Sequence, residues 1–98
     1  MKNKFYQRKA QIFKALANPV RLEVIDTLLN GEKCVCEIVE ELKEYEQPHI
    51  SKSLSKLKEA GLIQDRKDGL NVYYSLRICC MGEFFSCLNE ILQSNYKK

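Results

Sequence analysis

The hydrophobic period of this chain switches from helical to alternating in the stretch LIQDRKDGLNVYYSL, residues 62 to 76. Leu62 to Arg66 and Leu70 to Leu76 alternate or are rich in β-branched and aromatic residues, and Lys67-Asp68-Gly69 stands between them. Asp-Gly is a favoured tight-turn pair, so the stretch predicts a two-stranded hairpin. The segments before and after it have helical spacing, which makes the chain mainly α, in the α+β sense.

Phe5, Ile12, Phe13 and Leu16 share one face of a predicted helix from about 3 to 16. Asn18 then caps a second helix, with Pro19 in its first turn. That helix, about 19 to 29, carries Val20, Leu22, Val24, Ile25, Leu28 and Leu29, too many apolar residues for a narrow stripe, so it is placed centrally. Asn30-Gly31 ends it. A short third helix, about 34 to 43, buries Val35, Ile38, Val39 and Leu42. A fourth, about 47 to 60, turns Ile50, Leu54 and Leu57 inward and closes at Gly61. A last helix, about 81 to 94, has Met81, Phe85, Leu88 and Leu92 at near-heptad spacing.

A short helix, a turn and a second helix directly before a hairpin make a winged helix-turn-helix, here five helices with a two-stranded β-wing. Residues 1–98 form one domain with a modest core. Phe5, Ile12, Phe13, Phe85, Leu88 and Leu92 exceed what one small core needs. The first and last helices are therefore expected to build a homodimer interface, which buries the same patch twice.

Charge is segregated along the chain. Residues 1 to 21 hold six basic residues and no acid, residues 32 to 46 six acids against two lysines, and residues 47 to 77 six basic against three acidic. Two basic segments flanking an acidic one suit a surface that meets phosphate at two places. On the fourth helix, His49, Ser51, Lys52, Ser55 and Lys56 turn away from the apolar face. Small hydroxyls allow close approach to a major groove, and lysines neutralise phosphate or reach guanine. Gln47 can bond an adenine edge, and Arg66 and Lys67 near the wing tip can reach the adjacent backbone or minor groove. Double-stranded, near-palindromic operator DNA is the expected partner.

The five cysteines are a high, odd count. The opening MKNKFYQRKA has no apolar run behind it, and no segment approaches the roughly 20 apolar residues of a membrane span. A cytosolic chain with no membrane partner is expected, where grouped thiols mean metal binding or redox sensing more often than disulfides. Cys34 and Cys36 lie at a helix start, where the backbone lowers a thiol's pKa and a non-helical Cys34 lets two residues two apart converge. Cys79, Cys80 and Cys87 form a second cluster at the last helix, as ligands or as part of its apolar stripe. The sequence has no glycine-rich phosphate loop, no Cys-x-x-Cys pair and no histidine beside a nucleophile, so an enzyme is not expected.

ALANPVRLEVIDTLLNGEKCVCEIVEEL, QPHISKSLSKLKEAGLI and RKDGLNVYYSL together resemble the arsenic-repressor (ArsR/SmtB) family of metal-responsive transcription factors over about residues 12 to 77. The resemblance implies a homodimeric repressor, dimerised through its first and last helices, that releases operator DNA on binding inducer. It implies a metal role for Cys34 and Cys36, which match the Cys-Val-Cys of the arsenic sensors. Val39 stands where that pattern has a third cysteine. The loop LKEYEQP is one residue longer than the usual form, with Glu46 in place of a capping serine. With His49 as the lone histidine, the histidine-rich zinc site of other members cannot form.

The sequence thus predicts a repressor needing no cofactor to bind DNA, with As(III) or antimonite as inducer at Cys34 and Cys36, or at Cys79, Cys80 and Cys87. Alternatives are a Cd(II), Pb(II) or Zn(II) sensor, a thiol redox or persulfide sensor, and a metal-binding module that does not touch DNA.

Overall fold

A computed structural model of the chain describes residues 2–78 and 80–93, and among them lie five helices and a three-stranded antiparallel sheet. Chain order is α1 (Lys2–Leu16), α2 (Pro19–Leu28), β1 (Lys33–Cys34), α3 (Val35–Glu41), α4 (Gln47–Glu59), β2 (Ile63–Asp68), β3 (Asn71–Leu76) and α5 (Met81–Gln93). Asn18 caps α2 as expected: its side-chain oxygen accepts from the backbone N–H of Val20 (3.0 Å) and Arg21 (3.2 Å), with Pro19 next in line. Two donors that a helix start leaves unpaired are thereby satisfied.

α2 is central. Its Val24, Ile25 and Leu28 pack with Ile38 and Leu42 of α3, with Ile50, Leu54 and Leu57 of α4, and with Leu62, Ile63, Met81 and Phe85. Val24, Ile25, Ile38, Ile50 and Leu57 are wholly buried, each such side chain contributing about 1.5–3 kcal/mol of transfer free energy. Leu22, by contrast, is exposed.

The last helix faces inward differently from the heptad reading. Phe85, one turn after Met81, is buried in the chain's own core. Phe84, Leu88 and Leu92 are exposed, as are Phe5 and Phe13 of α1. Phe85 is therefore a core residue of the single chain, and the apolar surface left on α5 is carried by its neighbours.

The hairpin pairs Ile63 with Leu76 at its base and Asp68 with Asn71 at its tip, leaving Gly69-Leu70 as the loop. The turn thus sits one residue beyond the Asp-Gly reading. Gly69 has φ +66° at the first loop position, which a type II′ turn requires and a side chain disfavours. Lys33 and Cys34 pair with Tyr74 and Tyr73, adding β1 to the free edge of β3 and making a three-stranded sheet where two strands were expected. Among the described residues no helix is long and apolar enough to cross a membrane.

Candidate nucleic-acid interface and thiol pair

α4 begins at Gln47, with Glu46 in extended conformation before it and Pro48 in the first turn. The Glu46 side chain makes no capping bond; its carbonyl accepts from the N–H of His49 and Ile50. With Ile50, Leu54 and Leu57 locked in the core, helical geometry leaves Gln47, His49, Ser51, Lys52, Ser55 and Lys56 exposed on the outer face. Ser53 is buried. The helix outer face is hydroxyl-rich and cationic, and its acid, Glu59, lies at the far end.

Two further features surround α4. Tyr45, in the turn before it, donates its hydroxyl to Glu23 of α2 at 2.5 Å and meets the His49 ring edge-on at 6.1 Å. The bond to Glu23 holds the Tyr45 hydroxyl above its ordinary pKa, with desolvation adding to it. Tyr45 thus ties the start of α4 to the central helix. Lys14 of α1 and Arg21 of α2 share an open cleft of about 470 Å³ with Lys56. The acid-free run over residues 1 to 21 was the available signal for those two cations.

The wing cations differ from one another. Arg66 is gripped by both oxygens of Glu32, at 2.7 and 2.9 Å, and its guanidinium lies over the Tyr73 ring at 4.6 Å from the centroid. The bond to Arg66 holds the Glu32 carboxyl below its ordinary range. Lys67 is exposed and forms no ion pair among the described residues. Lys67 is thus solvent-exposed, while Arg66 is engaged by Glu32.

Cys34 ends β1 and is the residue before α3, with extended backbone at φ −80° and ψ 163°. Glu37 Oε1 accepts its N–H at 2.9 Å. This extended residue lets the buried Cys34 and the exposed Cys36 converge, and their sulfurs lie 2.6 Å apart. Two residues two apart within a helix would point away from one another. The helix start does not lower the Cys36 thiol pKa, as the sequence had suggested. The hydrogen bond with Cys34 raises it, helped by desolvation and by the charges of Cys34 and Glu37, against a smaller lowering from the Glu37 backbone. Cys36 also faces an open groove of about 500 Å³ whose other walls are Val35, Val39 and Glu40 of α3, Gln47 of α4 and Leu70 to Val72 of the wing.

Of the second cysteine cluster, the described members are Cys80 and Cys87. Cys80 stands exposed just before α5 and Cys87 is exposed on it, while Cys79 lies outside the described residues. Among the described residues no three His, Cys, Asp or Glu side chains converge as a metal site. Cys34 and Cys36 therefore bring two sulfurs together, and among the described residues no group of three His, Cys, Asp or Glu forms around them.

The model of the arsR family of bacterial regulatory proteins matches residues 18–65. The arsenical resistance operon repressor of Staphylococcus aureus is 33% identical over 92 residues, 94% of this chain and 88% of that protein. An uncharacterized HTH-type transcriptional regulator of Methanocaldococcus jannaschii is 48% identical over 71 residues, 70% of this chain and 79% of that one. Among solved structures, the homodimeric winged helix-turn-helix DNA-binding domain of a possible ArsR-family regulator from Mycobacterium bovis superposes with a TM-score of 0.82 at 27% identity. That match covers 97% of this chain and 87% of the other.

Proposed function

The chain belongs to the arsR family of bacterial regulatory proteins, and on that premise we propose that this winged-helix transcriptional repressor acts as a homodimer that leaves its operator when Cys34 and Cys36 take up trivalent arsenic. Winged-helix DNA binding is the activity of the family, and catalysis is not. The observation that carries the reading is the position of the thiol pair. Its two sulfurs converge at the head of α3, and Cys36 shares a groove with Gln47, the first residue of the recognition helix. Thiolates select soft ions, and arsenic in the trivalent state is one. The name of the Staphylococcus aureus relative supports the same inducer.

In this reading Gln47, His49, Ser51, Lys52, Ser55 and Lys56 enter the major groove, and Lys67 meets the flanking backbone. Arg66 joins it only when released from Glu32. A second copy covers Phe5, Phe13, Phe84, Leu88 and Leu92, which spaces two recognition helices for a near-palindrome. The cytosol keeps the thiols reduced. Cys34 reaches the wing through the sheet, since Tyr73 is its Cα partner on one side and that of Arg66 on the other. Drawing Cys34 toward a bound ion moves β1 and the Glu32 that precedes it, and with them the wing. Coupling of about 1.4 kcal/mol per tenfold loss of operator affinity suffices.

The test is operator release by arsenite from the reduced protein. Cys34→Ser and Cys36→Ser should each abolish it, and Cys79→Ser, Cys80→Ser and Cys87→Ser should not. Release that survives loss of Cys34 and Cys36 would move the sensor elsewhere. Thiolates also take Cd(II), Pb(II) or Zn(II), and operator release by one of these ions in place of arsenite is the second reading.

A further inference from the structure

Lys56 and Lys58 lie two residues apart on α4, which sets them about 200° apart around the helix. Lys58 bonds to Asp65 of β2 at 3.0 Å, so its flank of α4 is the one joined to the wing. Lys56 lines the cleft that holds Lys14 of α1 and Arg21 of α2. The wing and the α1–α2 junction therefore stand on opposite flanks of α4. A major groove about 12 Å wide has a sugar-phosphate backbone along each side. With the wing beside one backbone, the other passes the cleft.

The cleft is dressed for an anion. Among the described residues Lys14, Arg21 and Lys56 form no ion pair. Arg21 Nε donates to the Ala15 carbonyl at 2.7 Å, which fixes the guanidinium across the α1–α2 junction and leaves its terminal nitrogens for another acceptor. These three cations face one carboxylate in the lining, that of Glu59. The chain up to Arg21 adds no acid of its own.

We propose that this cleft is a phosphate site that holds the DNA backbone on the side of the major groove opposite the wing. The proposal goes beyond the readout face assigned above and rests on α4 entering the groove. Phosphate carries no base identity, so the cleft sets the position of α4 and leaves the choice of sequence to its outer face. Continuity favours the DNA backbone over a soluble phosphate, because Lys56 belongs both to the cleft and to that outer face.

The test uses the full reduced chain and a duplex that it selects from a randomised pool. Phosphates of that duplex are neutralised one at a time as methylphosphonates, and affinity is read by fluorescence anisotropy. Lys14→Gln, at an exposed position, should weaken binding by about two- to fivefold and become indifferent to one set of these replacements. Lys67→Gln should become indifferent to a different set. Glu59→Gln should strengthen binding by a similar factor, and neutralising the Lys14 set should cancel the gain. Lys14→Gln with the native pattern of sensitivity, or with the pattern of Lys67→Gln, overturns the inference, as does a Glu59→Gln chain that gains nothing. Tripolyphosphate tests the other source of the same chemistry. Micromolar binding that Lys14→Gln abolishes, with the native methylphosphonate pattern kept, would give the cleft to a soluble polyphosphate and overturn the backbone assignment. If the native chain selects no duplex at all, the DNA-binding reading falls with it.

Discussion

Glu32 holds the Arg66 guanidinium with both carboxylate oxygens, joining the residue just before β1 to the middle of the wing. Arg66 holds the Glu32 carboxyl below its ordinary range, so the pair is intact at neutral pH. Because that folded pKa is depressed, whatever the pair adds to stability is present above the ordinary carboxylate range and lost as pH falls through the lowered value. Urea midpoints of the native chain and Glu32→Gln should therefore differ at pH 7 and converge in acid.

The same pair makes a prediction for DNA. Glu32→Gln frees Arg66 to meet a phosphate, which should steepen the dependence of log affinity on log salt by about 0.9. Arg66→Ala alone should leave the slope near the native value. Fluorescence anisotropy of a labelled duplex across a salt series reads both. A native-like slope in Glu32→Gln would mean that Arg66 stays away from the backbone even when unpaired.

Lys52, Lys14 and Arg21 separate two kinds of contact. Lys52→Ala should weaken binding to all duplexes and lower the salt slope by about 0.9 if the lysine meets phosphate. Lys14→Ala and Arg21→Ala test whether the cleft shared with Lys56 extends the phosphate-binding surface. If it does, each shows a similar loss without changing sequence preference. A change in preferred operator bases would instead assign those side chains to base reading.

Assembly turns on two adjacent phenylalanines. Leu88→Glu and Phe84→Glu place a charge on the exposed face of α5 and should give folded monomers with weakened operator binding. Phe85→Glu puts the charge in the core and should unfold the chain, because an unpaired buried carboxylate is strongly unfavourable. Sedimentation and far-ultraviolet circular dichroism together distinguish the outcomes. A native chain that sediments as a monomer at micromolar concentration would end the homodimer proposal.

Protons distinguish the ions. Binding of arsenite releases water and leaves no net proton, whereas a divalent ion displaces a proton from each thiol. The hydrogen bond with Cys34 keeps the Cys36 proton in place to higher pH than usual. Cd(II) affinity should therefore fall by about tenfold per pH unit for each displaced proton as pH drops from 8 to 6. Arsenite affinity should change little over the same range. Competition against a chromophoric chelator for Cd(II), and cysteine protection for arsenite, give the two curves.

The sequence by itself determined the order of elements and the inward face of α4. Those features follow from local causes: the period of Ile50, Leu54 and Leu57, the capping oxygen of Asn18, and the strand pattern either side of Gly69. It also marked out Cys34 and Cys36, and the cationic surface of the fourth helix. Tertiary structure decided the rest. β1 is two residues long, too short to carry a period, and it exists because β3, some forty residues later, offers an unpaired edge. That pairing holds Cys34 in extended backbone, and so brings its sulfur to Cys36. Phe84 and Phe85 are chemically identical neighbours, and only the packing of α5 against the core puts one inside and the other out. Arg66 reads as a free cation in the sequence because Glu32, 34 residues away, becomes its partner only when the sheet has formed.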